Sequence, residues 1–137
     1  VITIVQAQAA IAKIVTATEA AGYIVAVVIV DENGDEVASY RMDGCRPRFM
    51  KVALRKAYTS AMMDRSTESF KEEIDRRQLQ ISYYGDPLFT ALPGGIPITA
   101  PDGRTIGGIG VTGLTKGRDA EFGAAGLPCF FESVPAP

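Results

Sequence analysis

Residues 41 to 56 concentrate the ionisable chemistry of this sequence. Arg41, Arg46, Arg48, Lys51, Arg55 and Lys56 face one carboxylate, Asp43, for a local sum of +5. A basic patch beside a helix that starts at Pro47 suits carboxylates or phosphates, because backbone N–H groups and the helix dipole add to the side-chain charge. Arg48, Lys51 and Arg55 share a helical face by their spacing, and a solvated face neutralised by Glu72, Glu73 and Asp75 is the plainer account of those three. Lys56 differs, since it borders an apolar stripe of Phe49, Val52, Ala53 and Ala57. Its ammonium is expected to point into a cleft, where a partly desolvated lysine serves as a proton donor or an anion clamp.

The chain contains no histidine. That excludes a Ser-His-Asp triad, an imidazole base and any His-ligated metal or haem within it. Acid–base chemistry then falls to carboxylates, lysine, tyrosine or cysteine. Asp86 lies in the aromatic loop Tyr83-Tyr84-Gly85-Asp86-Pro87, where burial would make it a proton donor; the plainer reading is an Asx turn before proline. Cys45, entering the helix beside Arg46, is read as an activated thiol or a soft ligand, or as a small residue filling a gap. Asp119 and Glu121 complement the dipole of a short helix. No cluster of metal ligands is present in the pattern, so no metal site is expected.

Ten of the fourteen glycines fall between Gly94 and Gly126. Gly107, Gly108, Gly110 and Gly113 interrupt a strand pattern, which implies either a backbone wall against a flat or anionic ligand, or close helix-on-sheet packing. The letters from Gly108 to Gly113 match GxGxxG, but no long helix follows and no βαβ unit frames them, so no dinucleotide site is read there.

The elements that must position these residues follow from pattern. Thr3 caps a helix from about Ile4 to Ala21, stopped by Gly22. The β-branched run Ile24 to Asp31 reads as a central strand buried on both faces, and Asn33-Gly34 turns it into Glu36 to Met42. Pro47 to about Asp64 is helical, as is a segment capped by Ser66 or Thr67 and running to about Leu79. Gln80 to Pro93 reads as an ordered irregular loop. A second hairpin joins Ile96 to Ala100 with Thr105 to Thr112 around Pro101-Asp102-Gly103. A short helix near Gly117 to Ala125 precedes an irregular tail, 127–137. The order α-β-β-α-α-β-β-α implies an α+β fold, an antiparallel sheet of two hairpins flanked by helices.

At 137 residues, 47% hydrophobic and 22% charged, the chain suits a single domain, 1–137, with a core of its own. A net charge of −2 gives no reason to seek nucleic acid, and no apolar run approaches the ~20 residues of a membrane span. Cys45 and Cys129 make no zinc pattern and are as compatible with a reduced pair as with a disulfide. No basic-then-apolar leader is visible, so a cytoplasmic location is expected, with a processed leader left open.

At Arg41-Met42-Asp43-Gly44, Lys56-Ala57 and Gly107-Gly108-Ile109-Gly110-Val111-Thr112-Gly113 the sequence resembles the GlcG/HbpS family, which also occurs as the C-terminal domain of some PduO-type proteins. The resemblance extends to Val30-Asp31, Thr59, Gly94-Gly95 before Ile96-Pro97, and Asp119. It implies a profilin-like fold, self-association into homo-oligomers, and binding or degradation of haem or related tetrapyrroles. The missing histidine and Asp86-Pro87 depart from the haem-binding members; Tyr83, Tyr84 or Cys45 are the remaining candidate iron ligands.

Two functions are therefore expected. In the first, an oligomer binds an anionic planar or carboxylated ligand, haem being the family's example. Arg41, Asp43, Cys45 and Arg46 line its pocket, Arg41, Arg46 or Lys56 meets its acid groups, and Gly94, Gly95, Gly108 and Gly110 form its wall. In the second, a cofactor-free isomerase, tautomerase or lyase acts on a small carboxylated metabolite. There an arginine holds the carboxylate, Lys56 polarises a carbonyl, and Asp86 or Tyr84 moves the proton.

Overall fold

Thr3 opens α1 (Ile4–Ala20) with a reciprocal capping box: its hydroxyl accepts from the Gln6 N–H at 3.1 Å, and Gln6 Oε1 accepts from the Thr3 N–H at 2.9 Å. These details come from a computed structural model, which describes residues 1–131. After Gly22, β1 (Val25–Asp31) pairs antiparallel with β2 (Glu36–Arg41). The turn between them is held by Asp31 Oδ1, which accepts from the N–H groups of Asn33 and Asp35. Pro47 begins α2 (Pro47–Met63), and Ser66 caps α3 (Thr67–Arg77) through the Ser69 N–H. β3 (Gly95–Thr99) and β4 (Thr105–Gly113) form the second hairpin, and α4 (Asp119–Ala124) follows.

The four strands make one antiparallel sheet in the order β2-β1-β4-β3. The two hairpins join through β1 and β4, which places the β-branched strand in the centre, buried along Val25–Val30. Alternation then sorts its side chains. Val25, Val27 and Ile29 enter a core shared with α1, Phe122 and Phe130, while Ala26, Val28 and Val30 meet Ala53, Ala57 and Ala61 of α2. Helices thus cover both faces, as the order of elements implied.

Two expectations are corrected in detail. The stretch 127–137 opens with a 3-10 turn, Leu127–Phe130, because Pro128 suits a first helical turn and the side chains of Cys129 and Phe130 are buried; residues 132–137 lie outside the described residues. Gln80 to Pro93 likewise contains a 3-10 turn, Ile81–Tyr84. Cys45 and Cys129 are not joined in a disulfide: they lie in the cores on opposite sides of the sheet. Among the described residues, no helix is long and apolar enough to cross a membrane.

Candidate functional site

α2 comes close to the sheet because β4 has no side chains beneath it at two positions. A Cβ on Gly110 would collide with the carbonyl oxygen of Ala53, and one on Gly108 with that of Ala57. Gly95, at the start of β3, lies equally tight under the Lys56 carbonyl and donates its N–H to Thr67 Oγ1 at 3.0 Å. This approach buries Lys56, 3% exposed, at the end of the sheet where β4 outruns β3. Its ammonium donates to the Val111 carbonyl at 2.8 Å and to Asp119 Oδ2 at 3.1 Å. Asp119 is oriented in turn by the Thr115 hydroxyl, which donates to Oδ1 at 2.6 Å. Gly94, at φ +119°, borders the same pair: a Cβ there would stand 3.0 Å from the Lys56 ammonium and 2.9 Å from Asp119 Cβ.

The pair stands at one end of a cleft of about 320 Å³, with Phe49, Val52, Leu92 and Leu114 as apolar walls and Arg48 and Thr112 among its polar groups. The Arg48 guanidinium lies 5.4 Å from the centre of the Phe49 ring. Phe49 and Leu114 also line a neighbouring cleft of about 250 Å³ that contains Tyr23, Cys45 and Arg46. A larger groove, about 590 Å³, runs between α1 and β2, but no ionisable side chain other than Tyr40 lines it. The Lys56 cleft is therefore the candidate site, since ligand clefts combine apolar walls with a few convergent polar groups.

Burial pushes the Lys56 pKa below its ordinary value, and the charge and hydrogen bond of Asp119 oppose that shift. A lysine whose native pKa is lowered holds fewer protons folded than unfolded, so stability rises with pH through the window between its native and unfolded values. Asp119→Asn removes both opposing influences and opens the window at lower pH. The stability deficit of that variant is thus expected to shrink as pH rises from 7 toward the ordinary lysine range in urea denaturation, and a constant deficit would contradict it. Cys45 and Tyr58, both pushed up, enter wild type and variant alike and cancel.

The other expected site residues are distributed differently. Tyr84 packs against Phe70 at 5.1 Å and Phe89 at 6.1 Å, and shares a hollow of about 210 Å³ with Tyr83 and Arg77. Asp86 caps its own loop, accepting from the Leu88 N–H at 2.9 Å and from the Tyr58 hydroxyl at 2.6 Å. Tyr58 is two positions from Lys56, which puts it on the far side of α2. Neither Tyr84 nor Asp86 lines the Lys56 cleft. Arg41 and Asp43 are exposed on the way from β2 to α2, and Arg46, also exposed, is the N-cap of α2. Of the readings of Cys45, its surroundings favour the small residue filling a gap: it is buried, and burial pushes its thiol up more than the Arg41 charge pulls it down. Glu73 pairs with Arg65, Arg76 and Arg77, and Asp75 with Lys71, rather than with the basic face of α2. Among the described residues no group of three or more His, Cys, Asp or Glu could hold a metal ion.

Thr112 and Thr115 were not singled out in the sequence, and Asp119 was read from its residues only as a dipole partner. Thr112 had a signal: it continues the even-numbered positions Gly108 and Gly110 that face α2.

A family model described as "Haem degrading protein HbpS-like" matches residues 2–128. Protein GlcG of Escherichia coli (strain K12) is 34% identical over 88 residues, which is 64% of this chain and 63% of that protein, slightly under two thirds of its length. HbpS from Streptomyces reticuli, crystallised as a double mutant, superposes with a TM-score of 0.83 at 31% identity, covering 93% of this chain and 85% of that one. PduOC, crystallised as a heme complex, shares the fold with a TM-score of 0.81 at 20% identity, covering 93% of this chain and 94% of that one. The HbpS-like match takes in α2, the glycines of β4 and Asp119 alike, and this chain belongs to that family.

Proposed function

We propose that this protein binds a flat ligand bearing carboxylates in the cleft at Lys56, with a tetrapyrrole as the leading case. The observation that carries the reading is a buried ammonium at one end of a cleft with apolar walls, with Arg48 beside the Phe49 wall. Apolar walls suit the ring and the cations suit its acid groups. The family description and the heme complex of PduOC support it. Self-association belongs to the same reading, supported by the exposed side chains Ile4 and Tyr40 in the groove between α1 and β2.

Haem itself fits this cleft in part. Its ring and propionates match the walls and cations, whereas no imidazole, thiol or phenol lines the cleft and the Lys56 ammonium is engaged. Tyr83 and Tyr84 lie elsewhere, and Cys45 sits in the neighbouring cleft with its thiol pushed up. An iron would meet no imidazole, thiol or phenol in this cleft, and binding is expected to rest on the ring and its acids. Metal-free protoporphyrin IX should bind comparably to haemin, followed by fluorescence and by the Soret shift. Arg48→Ala should weaken both, while Tyr83→Phe, Tyr84→Phe and Cys45→Ser leave both unchanged. Haemin binding that far exceeds the metal-free ring, or depends on those three residues, would overturn the reading.

The isomerase, tautomerase or lyase reading requires an acid–base group facing Lys56 across one cleft. Asp86 and Tyr84 do not supply it, and no other observation favours that chemistry over binding.

A further inference from the structure

Thr112 is 7% exposed, lines the Lys56 cleft, and carries the one buried side-chain polar atom among the described residues that has no hydrogen-bond partner. A buried hydroxyl without a partner loses its hydration for no return, and valine would fill the same space without that loss. Its place in the fold explains why nothing satisfies it. β3 begins at Gly95, opposite Gly110, so on that side β4 has no partner strand at Thr112. On the other side Thr112 pairs with Ala26, whose methyl offers no acceptor.

A second unused donor lies beside it. A lysine ammonium has three N–H groups, and Lys56 spends two of them, on Asp119 and on the carbonyl of Val111, the residue before Thr112. Thr112 and Lys56 both line this cleft, so the unpartnered hydroxyl and the third Lys56 N–H belong to two side chains of one site. Two donors, one of them charged, match one carboxylate of a ligand whose flat body lies against Phe49 and Leu114.

We infer that Thr112 is the specificity-determining residue of this cleft, holding a ligand carboxylate together with Lys56 and so selecting free acids over their neutral esters. The inference rests on the ligand reading above and adds to it the group that discriminates. The test compares protoporphyrin IX with its dimethyl ester on wild type, Thr112→Val and Thr112→Ser, by fluorescence titration. Wild type is expected to prefer the acid. Thr112→Val should bind the acid about tenfold more weakly or worse, the usual loss when a charge-assisted hydrogen bond is removed, with ester binding unchanged; Thr112→Ser should keep the preference. Free of ligand, Thr112→Val should melt higher than wild type, which also shows that it folds. Acid binding unaltered in Thr112→Val, or equal binding of acid and ester by wild type, overturns the role of Thr112 and leaves the cleft standing. Failure of wild type to bind either compound overturns the cleft reading and the inference with it.

Discussion

Gly110→Ala is expected to destabilise the fold by about 3 kcal/mol or more, the upper end for overpacking, and to lower its urea midpoint accordingly. The added methyl meets the carbonyl oxygen of Ala53, with the amide nitrogen of Ala57 2.8 Å away on the next turn of α2. A side chain in that place would swing aside, but a helical backbone has no rotamer to offer. Relief comes only by lifting α2, and that opens the core of Ala26, Val28, Val30, Ala53 and Ala57. Such a loss is a large part of the ~5–15 kcal/mol that holds an ordinary domain together. Gly123→Ala is the control: its Cβ would find Ile96 and Val111 side chains at 3.4 and 3.5 Å, which is ordinary contact, and alanine favours the helix it sits in. Circular dichroism during urea denaturation should separate the two variants clearly. A Gly110→Ala midpoint matching that of Gly123→Ala would show that α2 is not seated on the glycines as described.

The second large effect belongs to the ion pair. Asp119→Leu leaves the Lys56 ammonium buried with a single carbonyl partner, and breaking one side of a buried pair costs about 3–5 kcal/mol. The lower end is expected, because the Asp119 side chain retains 14% exposure and the pair is not wholly dry. Lys56→Met should cost less, since the stranded carboxylate keeps the Thr115 hydroxyl and its access to water. The double variant Lys56→Met with Asp119→Leu should recover most of the loss, because two apolar groups in place of a buried pair are often neutral. Ligand binding should vanish in the two variants that lack Lys56, whereas the Asp119 single variant keeps the ammonium and should still bind. The checks are a double-mutant cycle on stability and titration with protoporphyrin IX; additive losses would mean that Lys56 and Asp119 do not depend on one another.

Thr3, Asn33-Gly34, Pro47 and Pro101-Asp102-Gly103 announced their elements because caps and turns are settled by residues within a few positions of each other. Lys56 was legible for a similar reason, as a charge beside an apolar helical stripe. Its partner was not: Asp119 lies 63 positions away and is delivered by the end of β4 and the start of α4. Asp86 and Tyr84 failed to join Lys56 because the loop after α3 is held by local bonds and by the aromatic cluster of Phe70 and Phe89. The glycines carried two readings that composition could not separate. Gly108 and Gly110 face the backbone of α2, while Gly94 touches the ion pair.

The same glycines also settle a question of registry. β1 is apolar on both faces, so sliding it by one residue against its neighbours would still bury hydrophobic side chains, and hydrophobicity alone barely tells one face from the other. Its partners break that degeneracy: Val30 lies opposite Gly108 and Val28 opposite Gly110. In this alignment Val28 and Val30, rather than Val27 and Ile29, stand beside the two bare positions on the face that α2 covers. Two missing side chains thus act as an address, telling an otherwise ambiguous strand which way is up.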